Sequence, residues 1–354
     1  MVGLTQKGPI NKPTLITSYL EFQRTFGTYL DKNYGDYRYL PHAVEGFFQN
    51  GGQRVYINRV SASNGVVSEQ TIIGRRSQKP SKSTGLCAFE DIEEIKITAI
   101  PNGTTSKIQN AMIAHCEQIR NRFAVLDPKK LATVSDVQNQ RFLFNSTYAA
   151  LYYPWIKIKI PPTGETLSIP PSGHICGVYA RTDSQRGVHK APANETIKGV
   201  LGPDQQITKK QQDYLNPIGV NCLREFSGRG LRVWGARTTS SDPIWKYINV
   251  RRLLLYIEES IEKGTQWVVF EPNNEKLWSR IRQAILQFLT TVWKSGALMG
   301  TTPKEAFLVR CDRTTMTKDD IDNGRLIVVI GVAPLKPAEF VLFRISHLTR
   351  TPQQ

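Results

Sequence analysis

The stretch between residues 95 and 126 constrains the fold more than any other. Residues 95–100 form an apolar, β-prone run. Ile108, Ala111, Met112, Cys116 and Ile119 then recur at three- and four-residue steps, and residues 123–126 make a second apolar run closed by Asp127-Pro128. A short apolar run marks a strand, and a 3.6-residue period marks a helix with one buried face. Strand, helix, strand in that order predicts a βαβ unit, hence an α/β fold with a largely parallel sheet.

The same rhythm extends both ways. Upstream, residues 14–16 predict a short strand, and Ser18 and Glu21 have capping-box spacing for a helix through Phe22 and Phe26 that stops at Gly27. Residues 42–49 predict a second helix, and 54–60 a buried strand. Residues 61–85 are rich in Ser, Lys and Gly without periodicity and predict a surface linker or insertion. Downstream, a helix precedes a strand at 149–153, residues 156–160 are extended, and the Pro- and Gly-rich stretch 161–217 predicts mostly loop. Strands at 220–226 and 230–234 join at Ser227-Gly228-Arg229.

The last third is the most regular. Val250, Leu253, Leu254, Ile257 and Ile261 form a helical stripe stopped by Gly264, and a strand is predicted at 266–270. Leu277, Ile281, Ile285, Phe288, Leu289 and Val292 form a longer stripe ending near Gly296. Strands are predicted at 307–310, 326–332 and 340–345. The last two are linked by Ala333-Pro334-Leu335-Lys336-Pro337, whose prolines favour an extended connector over a tight hairpin. No internal repeat is present.

Composition narrows the function. At 354 residues the chain suits two or three lobes with real cores. The 46 Lys and Arg exceed the 30 Asp and Glu, for a net charge of +16, which favours an acidic partner or a solubilising shell. The basic residues are spread along the chain with no RNP1-like string, zinc-finger spacing or basic helix, so nucleic acid is not the expected partner. The five cysteines are far apart and never in a C-x-x-C pair, which fits a reducing compartment and structural roles. No apolar run approaches the ~20 residues that cross a bilayer, and the first residues do not resemble a signal peptide, so a soluble protein without membrane insertion is expected.

No catalytic constellation stands out. A Walker A loop, a dinucleotide fingerprint and a Gly-x-Ser-x-Gly elbow are all missing. The one conceivable acid–base or metal site, and so the only enzyme reading (a hydrolase or metal-dependent enzyme), would join His174, Asp183 and His189. Residues 179–195 mix both charge signs with Gly, Pro and small residues. Arg181, Asp183, Arg186, His189 and Lys190 there suit either an internally satisfied structural loop or a docking surface. No cofactor and no metal are expected.

Several segments resemble a known family. Arg181-Thr182-Asp183, Gly187-Val188-His189-Lys190-Ala191-Pro192-Ala193-Asn194 and Gly235-Ala236-Arg237-Thr238 look like the sheath protein of contractile tails. So do Asn249-Val250-Arg251-Arg252, Glu258-Glu259-Ser260, Gly264-Thr265-Gln266-Trp267, Phe270-Glu271-Pro272-Asn273, Cys311-Asp312, Asn323-Gly324-Arg325-Leu326, Gly331-Val332-Ala333-Pro334 and Pro337-Ala338-Glu339-Phe340. Such sheaths occur in phage tails, R-type bacteriocins and extracellular contractile injection particles. The compact length places this chain nearer the latter two than a large phage.

The resemblance implies a subtilisin-like α/β sheath domain without a protease site at 86–241, and an α+β C-terminal sheath domain with a terminal exchange strand at 242–354. It also implies a 1–60 N-terminal α/β segment packing with the C-terminal domain. Function follows as a structural subunit, stacked helically in hexameric rings around an inner tube, whose contraction drives the tube through a target envelope. The partners implied are sheath neighbours, the inner tube protein, baseplate and terminal cap proteins, and sheath paralogues. Assembly is expected in the bacterial cytoplasm, as part of a phage tail or of a tail-like particle that can be released.

Two surfaces carry that expectation. Phe340, Val341, Leu342, Phe343, Arg344 and Ile345 form a short β-prone segment behind the extended connector. On composition alone it pairs within its own domain, whereas the resemblance implies donation to a neighbour's sheet. Lys276, Arg280, Arg282 and Lys294 lie on polar positions of the long helix, either as a solvated face or as a tube-facing basic helix. Family members usually carry an arm before the Val2-Gly3-Leu4-Thr5 strand, so here the resemblance implies either trimming or the loss of one donated strand.

Overall fold

The computed structural model describes residues 1–61, 67–160 and 163–339. In chain order these form β1 (Val2–Gly3), β2 (Thr14–Ile16), α1 (Tyr19–Phe26), α2 (Leu40–Gln49), β3 (Val55–Arg59) and α3 (Glu69–Ile73). Then come β4 (Ile97–Ala99), α4 (Ser106–Ile119), β5 (Phe123–Leu126), α5 (Val134–Phe142), β6 (Ala149–Tyr153), β7 (Ile156–Lys159) and β8 (Thr166–Ile169). The middle continues with α6 (Ser172–Arg186), β9 (Glu195–Thr196), β10 (Gly202–Pro203), α7 (Lys209–Leu215), β11 (Val220–Phe226) and β12 (Gly230–Trp234). The last part holds α8 (Ile248–Gly264), α9 (Glu275–Lys294), β13 (Phe307–Arg310) and β14 (Val329–Val332).

Six strands in the order β4-β5-β6-β11-β12-β9 build the central sheet, with β4, β5, β6 and β11 parallel, β12 antiparallel to β11, and β9 antiparallel to β12. Every residue of β5 and β6 is buried. That is the continuous apolar reading of strands covered on both faces. The two-residue period splits them: Phe123, Val125, Ala150 and Tyr152 enter one core cluster, while Ala124, Leu126, Ala149, Leu151 and Tyr153 enter the other.

Helix α6 lies in the first of these cores, and its glycines decide how. A Cβ at Gly173 would sit 2.4 Å from Ala43 backbone atoms, and one at Gly177 2.4 Å from the Phe47 carbonyl oxygen. A Cβ at Gly46 would sit 2.1 Å from the His174 ring. These three positions therefore let α2 cross α6 at backbone contact. The start of α6 is held by Asp127, which accepts from the Ser172 N–H at 2.8 Å and the Ser172 hydroxyl at 2.7 Å. Burial pushes the Asp127 carboxyl up to about 7, against the pull of those bonds.

Three expectations are corrected. Residues 161–217 are not mostly loop, because α6, α7 and the short strands β8, β9 and β10 lie there; α6 is buried on every side from Ser172 to Tyr179, so that part shows no one-sided stripe. The 61–85 stretch is not all surface linker, because it includes α3, whose Ile72 is fully buried. Residues 266–270 are not a strand: Gln266–Val268 is a single 3₁₀ turn, followed by an exposed Val269 and Phe270.

In the N-terminal segment β1, β3 and β2 form a small sheet. Phe22, Phe26, Leu40 and Val44 join the core beneath the central sheet, which also takes in Ile248 at the start of α8, while among the described residues none from 1–60 enters the separate C-terminal core. That C-terminal core is built where the inward stripe of α9 (Leu277, Ile281, Ile285, Leu289) meets Leu253 and Ile257 of α8 and Phe307 of β13. No described helix is long and apolar enough to cross a membrane.

Candidate functional site: the C-terminal junction and ribbon

The histidine–aspartate grouping does not assemble. His174 and Asp183 both lie on α6. Nine residues at 1.5 Å rise hold them about 13 Å apart along the axis. His174 is 1% exposed, and burial, reinforced by His42, pushes it down to about 3. Asp183 is taken by Arg252, whose two terminal nitrogens donate to its oxygens at 2.8 and 2.5 Å. Among the described residues no cluster of His, Cys, Asp and Glu could hold a metal.

Arg181, Asp183 and Arg186 therefore stand on a helix, not in a loop, with only His189 and Lys190 beyond its end at Gly187. Most of the group is turned inward. Arg181 donates to the Asn50 and Thr196 carbonyl oxygens at 3.0 and 2.6 Å. Lys190 donates to those of Ala191 and Ala193 at 2.6 and 3.1 Å. Arg186 is exposed.

Their neighbours bolt α8 to the central body. Arg252 lies over the Tyr179 ring at 4.8 Å, and the Tyr179 hydroxyl meets that of Tyr152 at 2.6 Å. Burial works against the Arg252 charge, but Asp183 outweighs it and raises the guanidinium pKa. Arg251 is sandwiched between Tyr148 and Trp245, at 4.1 and 4.7 Å from the ring centres. The Asn249 amide donates to the His189 and Leu335 carbonyl oxygens at 2.9 and 3.2 Å.

A second junction, not paired from the sequence alone, closes on Glu339. Arg237 donates from Nε and Nη2 to its two oxygens, both at 2.7 Å. Asn216 and Tyr247 add hydrogen bonds of 2.6 and 3.1 Å, and Lys246 approaches to 3.5 Å. Burial pulls the Glu339 pKa upward, and Arg237, Asn216 and Tyr247 overcome it, holding the carboxyl at about 2. The available signal was an acid among prolines paired with the arginine of Gly235-Ala236-Arg237-Thr238.

The C-terminal sheet contrasts with these junctions. β13 and β14 form a two-stranded antiparallel ribbon, with Phe307 opposite Val332 and Arg310 opposite Val329. Leu308 and Val329 are each 46% exposed. Two strands alone are marginal in water, and among the described residues no third strand pairs with either outer edge. The segment 340–345 lies outside the described residues.

On α9 the basic residues separate. Lys276, Arg280 and Lys294 fall on the exposed face, while Arg282 is half-buried on the flank. Arg280 also stacks on Trp267 at 4.6 Å. A four-residue basic stripe is thus corrected to three residues, since at 100° per residue position 282 turns away from the other three.

A mostly parallel sheet is thus joined, through the Arg252–Asp183 and Arg237–Glu339 pairs, to a helical part that carries a two-stranded ribbon. The chain belongs to the contractile tail sheath family: the phage tail sheath protein central domain matches residues 79–239, and the phage tail sheath C-terminal domain residues 240–347. It is similar to chains of the anti-feeding prophage, in its six-fold symmetrised baseplate (33% identity, TM-score 0.81, 98% of this chain and 92% of that one). The helical sheath of the same particle in its contracted state matches at 32% identity and TM-score 0.81, over 98% and 91% of the two chains.

The PVC sheath complex of an extracellular contractile injection system, in the contracted state, matches at 29% identity and TM-score 0.79, over 98% and 89%. The tail sheath protein of Vibrio phage KVP40 is 29% identical over 177 residues, 49% of this chain and 26% of that protein, so the chain spans about a quarter of its length. The protein is a component of a phage tail or tail-like particle.

Proposed function

We propose that the subunits stack helically as six-fold rings around an inner tube, and that shortening of this array drives the tube through a target envelope. The β13–β14 ribbon carries the proposal: it is an incomplete sheet on an otherwise well-packed body, and a strand from another copy completes it. Phe340 to Ile345 is the donated strand, and main-chain hydrogen bonds hold neighbours together while their bodies reorient. The matches to a six-fold symmetrised baseplate and to a helical sheath support the arrangement.

Lys276, Arg280 and Lys294 face the tube in this reading. Each exposed contact contributes ~0–1 kcal/mol, weak enough for release during contraction. The central part is a protease-like, subtilisin-type body that has lost its chemistry, a reading supported by the Ser172 hydroxyl being committed to Asp127. Baseplate and terminal cap proteins bind the ends of the array, sheath paralogues can share it, and assembly takes place in the bacterial cytoplasm. A chain ending at Glu339 tests this: it should remain folded and form monomers or rings, and long tubes in negative stain would refute strand donation.

A further inference from the structure

We infer that Glu339 is the mechanical anchor of the C-terminal arm, tying the arm's point of departure to the central sheet of its own subunit. This inference rests on the strand-donation reading and adds to it where the tension is carried. The connector after β14 is fastened first within the C-terminal part, at Ala333 and Leu335, and last to the central part. At its start, Ala333 donates to the Ala306 carbonyl oxygen and accepts from the Met299 N–H, both at 2.8 Å, within the C-terminal part. At its end, Glu339 reaches across to Arg237 and Asn216 of the central part.

Arg237 is itself rooted there. Its N–H donates to Asn221 Oδ1 at 2.7 Å and its Nη1 to the Pro217 carbonyl oxygen at 3.1 Å, and Asn221 lies on β11 of the six-stranded sheet. A pull on residue 340 therefore meets the Glu339 carboxylate first and passes through the guanidinium into the central sheet. Two parallel charge-assisted hydrogen bonds resist displacement better than one. The two side chains are only 9% and 16% exposed, so salt screens the pair little.

Without the clamp the last firm attachment is near Leu335. Four more residues, 336–339, then join the free arm and add about 13 Å of reach at ~3.3 Å each. A longer tether samples a larger volume, which lowers the effective concentration of the donated strand at the neighbour's ribbon. It also slackens the link through which one subunit's movement reaches the next.

The test uses the full chain with Glu339→Gln, Glu339→Asp and Arg237→Lys, beside a chain ending at Glu339. For Glu339→Gln the critical concentration for tube formation should rise about tenfold or more, as expected when a buried charge pair loses one member. Distances between labels at Ser241 and Thr351 in the dilute monomer should broaden, which a residue serving only stability would not cause. Glu339→Asp keeps the charge and should restore part of the loss. Arg237→Lys breaks the fork while keeping the charge, and gives the same reading if Glu339→Gln fails to fold. Unchanged critical concentration and unbroadened distances in these variants, with the shortened chain unable to form tubes, overturn the anchor and leave strand donation standing. Normal tubes from the shortened chain overturn strand donation, and the anchor with it.

Discussion

The central and C-terminal parts of this subunit use similar residues to opposite ends. In the central part the inner strands β5 and β6 are buried along their whole length, and a charge can be enclosed there: Arg122 is fully buried and donates to the carbonyl oxygens of Phe89 and Ile92, both at 2.9 Å. In the C-terminal part a two-stranded ribbon leaves Leu308 and Val329 half in water, and the neighbouring turn leaves Phe270 wholly exposed. One region is complete as a monomer. The Arg252–Asp183 and Arg237–Glu339 junctions join the two, and under the proposed strand donation the second region is completed in the assembly.

The sharpest break of that contrast is Arg252→Ala. It leaves Asp183 unpaired at the junction and should destabilise the monomer by about 3–5 kcal/mol, read as a lower urea midpoint. Next comes Gly173→Ala, whose methyl collides with the backbone of Ala43; overpacking there should cost about 3 kcal/mol. Slower exchange protection should be lost first in α2 and α6, with α9 little affected.

Acidification separates the two parts further. Burial holds His42 at about 4 and His174 at about 3, so the folded state binds fewer protons than the unfolded chain, whose histidines titrate near ~6.5. Their contribution is complete above pH 6.5 and is lost as pH falls toward 4. Asp127, raised to about 7, acts in the opposite sense over the same interval and offsets part of the loss. Urea melts between pH 7.5 and 4.5 should show a net decline, made steeper by Asp127→Asn.

The smallest effect on the monomer should come from the ribbon. Leu308→Lys changes a half-exposed side chain and should shift monomer stability by less than about 0.5 kcal/mol, yet reduce tube formation strongly. Lys276→Glu with Lys294→Glu should leave both folding and tubes unchanged and weaken co-sedimentation with the inner tube.

Much of this architecture was legible in the chain. The apolar runs of β5 and β6 and the stripes of α4, α8 and α9 declare themselves because each has a definite number of buried faces. Helix α6 hid because its first two turns are buried on every side, it begins after Pro170-Pro171 and it spends Gly173 and Gly177 on a close crossing, so it looked like loop. The apolar run Trp267 to Phe270 misled in the other direction: Trp267, Val269 and Phe270 are exposed and only Val268 packs on the core, and exposure leaves no trace in composition. His174, Asp183 and His189 seemed groupable because sequence hides the length of a helix between them. The Glu339 clamp joins residues separated by 102 positions, and no local pattern announces it.

High-resolution imaging of assembled tubes is the most direct test of strand donation. The account predicts that residues 340–345 of one subunit lie hydrogen-bonded along β13 or β14 of an adjacent subunit, making a third strand there. Density placing those residues on their own subunit in an intact tube, with the ribbon still two-stranded, would contradict it.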